Sequence, residues 1–136
     1  MKNIGKVILI LFFFVSTYST QSETTGPEET NKLILAALNA GNSSELSNYF
    51  NTMVDLGITG TEDSYSKNQA TRILQDFFTN YPVKSVKIMK QGTSNDGSQF
   101  SIGQIQAGNK TFRLYYLLKK ISTQYLIQQF QIEEEN

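Results

Sequence analysis

Residues 64–82 read SYSKNQATRILQDFFTNYP, and the apolar side chains within them fall at Ala70, Ile73, Leu74, Phe77, Phe78 and Tyr81. This recurrence at i, i+3, i+4 and i+7 draws a single apolar stripe along an α-helix. Ser66, followed three residues later by Gln69, forms a capping box that satisfies backbone N–H groups otherwise orphaned at the helix start. Pro82 ends the helix, because the residue before a proline is pushed out of the helical region. One amphipathic helix is thereby anchored mid-chain, and the pattern on either side can be read against it.

After Pro82 the period changes from helical to alternating. VKSVKIMK alternates around Val86 and Ile88, and Asn95-Asp96-Gly97 is a hairpin signal. In QFSIGQIQA, Phe100 and Ile102 share one parity and Ile105 and Ala107 the other, which predicts a bulge at Gly103. Gly108-Asn109 marks a second tight turn. KTFRLYYLLKK is apolar on both parities, the signature of a central strand covered on both faces, and QYLIQQFQI reads as the last strand.

Before Ser64, Pro27 suits a first helical position and Glu28 and Glu29 suit the positive end of a helix. Leu33, Ile34, Ala37 and Leu38 form its stripe, and Gly41 closes it. A short second helix follows, capped by Ser43 or Ser44, with Leu46, Tyr49 and Phe50 facing inward. Met53 to Ile58 reads as a strand and TGTEDS as a turn. The order is helix, helix, strand, helix and four antiparallel strands, an α+β design with three helices in the N-terminal part packed on an antiparallel sheet.

This order resembles the cone-shaped fold of the nuclear transport factor two-like (cystatin-like) superfamily. The passages ILAALNAGNSSELSNYFNTMVDLGI, YSKNQATRILQDFF, GTSNDGSQFSIGQI, FRLYYLLKK and LIQQFQIEE together resemble the bacterial domain-of-unknown-function 4783 family. The resemblance implies a curved sheet, a short exported protein and no assigned activity. From the superfamily it also implies two things to weigh: an isomerase- or dehydratase-like cavity, and a sheet face that packs against a second subunit as a homodimer.

The N-terminus carries Lys2 and Lys6, an apolar run from Val7 to Val15 and then small polar residues, the order of a secretory signal peptide. The run is shorter than the roughly 20 residues a membrane span requires. The expected organisation is a signal peptide over 1–22 with a cut near Ser19, a linker over 23–27, one domain over 28–133 and a solvated acidic tail over 134–136, in a periplasmic or extracellular protein. The chain has 12 basic and 12 acidic residues, so loss of the leader leaves it mildly acidic. Lys84, Lys87 and Lys90 are dispersed rather than gathered into the dense footprint that nucleic acid requires. Absence of cysteine excludes disulfides, and absence of both cysteine and histidine removes the usual nucleophile–base pairs and zinc sites. No metal or cofactor is expected.

Ser64-x-x-Lys67 has the spacing of the nucleophile and lysine of penicillin-interacting enzymes, but the capping box leaves Ser64 outside the helix, and no Ser-Asp-Asn or Lys-Thr-Gly accompanies it. Asp55, Asp76, Tyr115 and Tyr116 are the candidates for a carboxylate base and tyrosine donor in a cavity. The parity of Asp55 against Val54 and Leu56, and the place of Asp76 opposite the apolar stripe, turn both outward. A cone plugged by Phe77, Phe78, Phe100 and Phe112 would rule the cavity enzyme out. Arg113 and Tyr115 share the other parity of their strand, with Gln104, Gln106, Gln128, Gln129, Gln131 and Tyr125 in neighbouring strands. Amides and tyrosine on a sheet face suit binding a ligand or a protein partner. Arg113, Tyr115, Gln104, Gln129 and Gln131 are therefore the candidate binding residues, on a non-catalytic domain that binds through this face or in its cone.

Overall fold

A computed structural model describes residues 25–136. The signal peptide expected over 1–22 and the first part of the linker lie outside them. Helix α1 (Pro27–Asn39) starts at Pro27, as its ring geometry favours, and ends in a paired hydrogen-bond cap. The Gly41 N–H donates to Leu38 O and the Asn42 N–H to Ala37 O, with Gly41 at φ +61. That left-handed conformation is why a glycine stands there. Leu33 is exposed while Thr30 is buried, so the inward stripe is Thr30, Ile34, Ala37 and Leu38.

Helix α2 (Ser43–Ser47) is capped by Asn42, whose Oδ1 accepts from the Glu45 N–H at 3.0 Å. The cap therefore lies one residue before Ser43, because Asn42 already has the extended backbone that a cap needs. Strand β1 (Phe50–Ile58) begins after a two-residue turn at Asn48 and Tyr49, so Phe50 belongs to the sheet.

The segment read as a turn is mostly strand. Only Thr59 and Gly60 turn the chain, and β2 (Thr61–Ser66) pairs antiparallel with β1. Helix α3 (Lys67–Asn80) then starts with both hydrogen bonds of the Ser66–Gln69 capping box in place. Strands β3 (Val83–Thr93), β4 (Gln99–Ala107), β5 (Lys110–Ile121) and β6 (Gln124–Glu134) complete the chain.

The six strands form one sheet in the order β2-β1-β6-β5-β4-β3. All neighbouring pairs are antiparallel except β1 with β6, which run parallel. The molecule is thus α+β with a mixed sheet, and β1–β2 separate the first two helices from the third.

The bulge expected at Gly103 lies on the facing strand. Strand β4 keeps an unbroken register with β5, while β3 slips by one residue between Ile88 and Lys90. A Cβ at Gly103 would strike the Lys87 carbonyl oxygen, so the glycine permits close approach of β3. One consequence is that Ser101, Gly103, Ile105 and Ala107 face inward on β4, and Phe100 and Ile102 face outward.

The core lies between the inner sheet face and the helices. The Phe77 ring meets Phe112 edge-on at 5.0 Å between centroids, with Tyr81 at 5.2 Å from Phe112, which seats α3 on β5. Phe50 meets Phe130 at 6.3 Å, and Tyr116 stacks on Phe130. The Tyr116 hydroxyl donates to Asn31 Oδ1 at 2.7 Å, tying α1 to β5. At the edge, the Val86 N–H donates to Asn39 Oδ1, holding the end of α1 against β3. Of the four phenylalanines that could plug the interior, Phe77, Phe78 and Phe112 are buried in this core; Phe100 is on the opposite face, its ring lying over Gly92.

Candidate partner-binding face

The alternation of each strand assigns one parity to the core and the other to an outer face. On β5 the core parity is Phe112, Leu114, Tyr116 and Leu118, all fully buried. The outer parity is Thr111, Arg113, Tyr115 and Leu117, half-buried except for the exposed Arg113, so this strand is covered on one face rather than two. Register carries the outer face across the sheet. Arg113 is paired with Gln104 on β4 and Glu133 on β6, Tyr115 with Ile102 and Gln131, and Leu117 with Phe100 and Gln129. The five candidates Gln104, Arg113, Tyr115, Gln129 and Gln131 therefore come together on one face of three adjacent strands. Gln106 joins them, exposed. Gln128 occupies a bulge and accepts from Asn51 Nδ2, and Tyr125 pairs with Lys120 and packs on the core, so these two stand apart from the group.

Three apolar residues of this face escaped the sequence reading. Phe100, Ile102 and Leu117 form a half-buried apolar strip with Tyr115 at its centre. Continuous alternation of β4 through Gly103 was the signal that could have found the first two.

Hydrogen bonds fix the polar rim. Gln131 crosses Gly57, whose missing side chain leaves room for it, and donates to Glu62 Oε1 on β2 at 3.2 Å. Glu135 folds over the face rather than into solvent: its Oε2 accepts from Gln104 Nε2 at 2.9 Å, and its Oε1 lies 3.6 Å from Arg113 Nε. Glu134 pairs with Lys110 at 2.9 Å, which raises the lysine above its usual pKa. Strand β6 runs to Glu134, past the expected start of a free tail.

The other candidates are scattered. Ser64 lies on the exposed edge strand β2 paired with Asp55, and Lys67 is the first residue of α3, outside any enclosed site. Asp55 is half-buried on the outer face and Asp76 is exposed on α3. Among the described residues no carboxylate is buried, and no group of three carboxylates gathers as a metal site would need. Tyr116 is the exception to this dispersal. Burial raises its pKa, opposed by the Ser101 hydroxyl across the strand pair, and Ser101 in turn accepts from Gln91 Nε2 at 3.1 Å. A groove of about 520 Å³ lies elsewhere, between the α1–α2 turn and α3, lined by uncharged residues including Asn42, Thr71 and Gln75.

Residues 31–133 match the family described as domain of unknown function DUF4783. The chain belongs to this family. A DUF4783 protein from Bacteroides ovatus is 36% identical, with a TM-score of 0.72 over 76% of this chain and 94% of that one. The fold extends further. A cystatin-like domain of unknown function from Nostoc punctiforme superposes with a TM-score of 0.62 at 12% identity, over 78% of this DUF4783 chain and 73% of that one. An NTF2-like protein of unknown function from Cytophaga hutchinsonii gives 0.58 at 14% identity, over 86% and 94%. No curated protein matches the chain.

Proposed function

We propose that this DUF4783 protein is an exported, non-catalytic domain that binds a protein partner through the outer face of its sheet. The observation that carries this reading is the half-buried strip of Phe100, Ile102, Tyr115 and Leu117 set within a rim of glutamines. An apolar, aromatic centre with a polar margin is the anatomy of a protein interface. The helices support it from the other side, since the apolar residues they bury all enter the inner core. We take the sheet to curve as a cone around that core, in keeping with the bulges on β3 and β6. A ligand held in the cone is the weaker branch, because its interior is occupied by rings such as Phe77, Phe112 and Phe130.

The rival is a cavity enzyme of the isomerase or dehydratase kind. Its support is the buried Tyr116 hydroxyl with Asn31 beside it, a donor of the type such sites use. It lacks a base, since no carboxylate among the described residues is buried near that hydroxyl. A photo-crosslinking residue in place of Tyr115, produced in the native host, tests the binding reading against the same residue at the exposed Arg72 of α3. Crosslinks from position 115 and none from 72 are expected; none from 115 overturns the reading.

Export rests on the cationic and then apolar order of residues 1–22. The mature chain is expected to begin between Ser19 and Glu23, which mass analysis of protein from the envelope fraction reads directly. An intact Met1 on cytoplasmic protein would sink that proposal.

A further inference from the structure

The groove between the α1–α2 turn and α3 lies on the helical side of the molecule, away from the outer sheet face, and local sequence makes both of its walls. On α3, Thr71, Gln75 and Thr79 stand four residues apart and form one row, beside the inward residues Leu74 and Phe78. The charged residues of that stretch, Arg72 and Asp76, occupy the next row and do not line the groove. In the facing wall the left-handed Gly41 turns the chain out of α1, and Asn42, Ser43 and Ser44 follow. A Cβ at Gly41 would lie 4.0 Å from the Phe78 side chain, so the two walls meet over Phe78.

Hydrogen bonds within the walls decide which atoms are left for a ligand. Thr71 and Thr79 each donate to the carbonyl four residues back, to Lys67 O at 2.7 Å and to Gln75 O at 2.8 Å. Their oxygens keep lone pairs as acceptors. Asn42 Oδ1 is taken by the Glu45 N–H, which leaves the Asn42 NH₂ group as a double donor. Among the described residues, the Gln75 amide and the Ser43 and Ser44 hydroxyls make no hydrogen bond. Ser43 is the most telling of these. It is only 7% exposed, yet no side-chain nitrogen or oxygen among the described residues is both sealed from solvent and unpaired. Its hydroxyl therefore opens into the groove that it lines. A hydroxyl held so deep without a partner costs free energy, which a hydrogen-bonding occupant recovers.

We propose that this groove binds a neutral polyhydroxylated ligand, a mono- or disaccharide. No charged side chain lines it, so nothing there offsets the desolvation of a phosphate, carboxylate or ammonium group. A sugar hydroxyl is donor and acceptor at once, and the walls offer both. Thr71 and Thr79 accept, Asn42 donates, and Gln75, Ser43 and Ser44 do either. These groups stand on two facing walls, so a ring with hydroxyls along both edges meets them and an apolar chain does not. Phe78 supplies a small apolar floor for the C–H face of such a ring. The volume of about 520 Å³ falls within the roughly 300–1,000 Å³ of small-molecule sites. The groove is separate from the outer sheet face, and its ligand is independent of any partner bound there.

Backbone amide NMR of the isotope-labelled protein, processed as in its host, is the test. Glucose, galactose, mannose, N-acetylglucosamine and their disaccharides are each titrated to about 50 mM, enough to fill a millimolar site. At least one is expected to shift the amides of Gly41, Ser43, Thr71, Gln75 and Thr79 along a saturating curve. Ser43→Ala and Gln75→Ala should each weaken that sugar by about three- to tenfold, as loss of one hydrogen bond does. Asp76→Ala, on the neighbouring row, should leave its binding unchanged, and the spectra themselves show that every variant is folded. Glucose 6-phosphate and glucosamine, run beside glucose, should bind more weakly than the neutral sugar. Four results overturn the proposal: no saturating shift at these residues with any neutral sugar, shifts confined to other surfaces, tighter binding of the charged analogues, or wild-type affinity in both alanine variants of the groove.

Discussion

Glycine at position 103 and serine at position 66 show how much a single side chain decides here. Gly103 lets β3 close over it; adding a methyl group forces the Lys87 carbonyl to retreat. Gly103→Ala is expected to cost about 1–3 kcal/mol, as overpacking does, read as a lower urea midpoint with an unchanged slope. Gly92→Ala meets only the Phe100 ring, which can swing aside, so its cost should be the smaller of the two. Ser66→Ala removes one member of the capping box and should cost about 1 kcal/mol, while Ser64→Ala on the exposed edge strand should change little. The same denaturation series separates the two serines, and equal losses would contradict the assignment of the cap. Tyr116 adds a buried hydroxyl whose hydrogen bond to Asn31 is worth about 1 kcal/mol, the expected loss in Tyr116→Phe.

Among the elements, α3 was the easiest to read and β2 the hardest, for opposite reasons. The stripe of Ala70, Leu74, Phe77 and Phe78 announces a helix because burial on one side imposes a period. TEDSYS has no period, since β2 is an edge strand exposed over most of its length and held by backbone bonds to β1. The two hairpin turns at Asn95-Asp96-Gly97 and Gly108-Asn109 were legible because Gly97 and Gly108 take positive φ, which their chemistry favours. Strand parity turns each of the five binding candidates away from the core of its own strand, and register then sets them side by side. The reach of Glu135 over this face is beyond local pattern, because it depends on which strands are neighbours and in what register. The parallel pairing of β1 with β6 lies beyond local pattern for the same reason. At this scale Phe77→Ala should cost about 3–5 kcal/mol, since the ring joins α3 to Phe112 of β5 while also packing on Phe78 and Tyr81 of its own segment. A loss below about 1 kcal/mol in thermal or chemical unfolding would mean that α3 does not seat on β5 as described.

For the molecule as a whole, pH enters through groups that titrate differently when folded. Burial raises the Tyr116 pKa above 10.0, and Glu134 raises that of Lys110 above 10.5. Above the unfolded value of each group, the unfolded chain releases its proton first, so stability is full below about pH 10 and falls as pH rises through the folded values. Urea titrations at increasing alkaline pH should show this decline, and Tyr116→Phe should flatten its tyrosine part. In acid the sign reverses. Asp96 is held below its usual pKa by the Ser98 N–H, so its contribution exists above pH 3.8 and is lost as pH falls through the lower folded value.

The place of β6 between β1 and β5 has a consequence for how the chain is made. Phe50–Ile58 must wait for Gln124–Glu134 before it gains its second neighbour. Until the last strand leaves the ribosome, the β1–β2 hairpin and the β3–β4–β5 meander are two separate pieces with no sheet in common. Contacts so distant in sequence form slowly, because the loop between them must close first. A nascent chain of this topology therefore stays open at least until Gln124–Glu134 has been made, and an unclosed chain is one that can still be threaded lengthwise through a narrow pore.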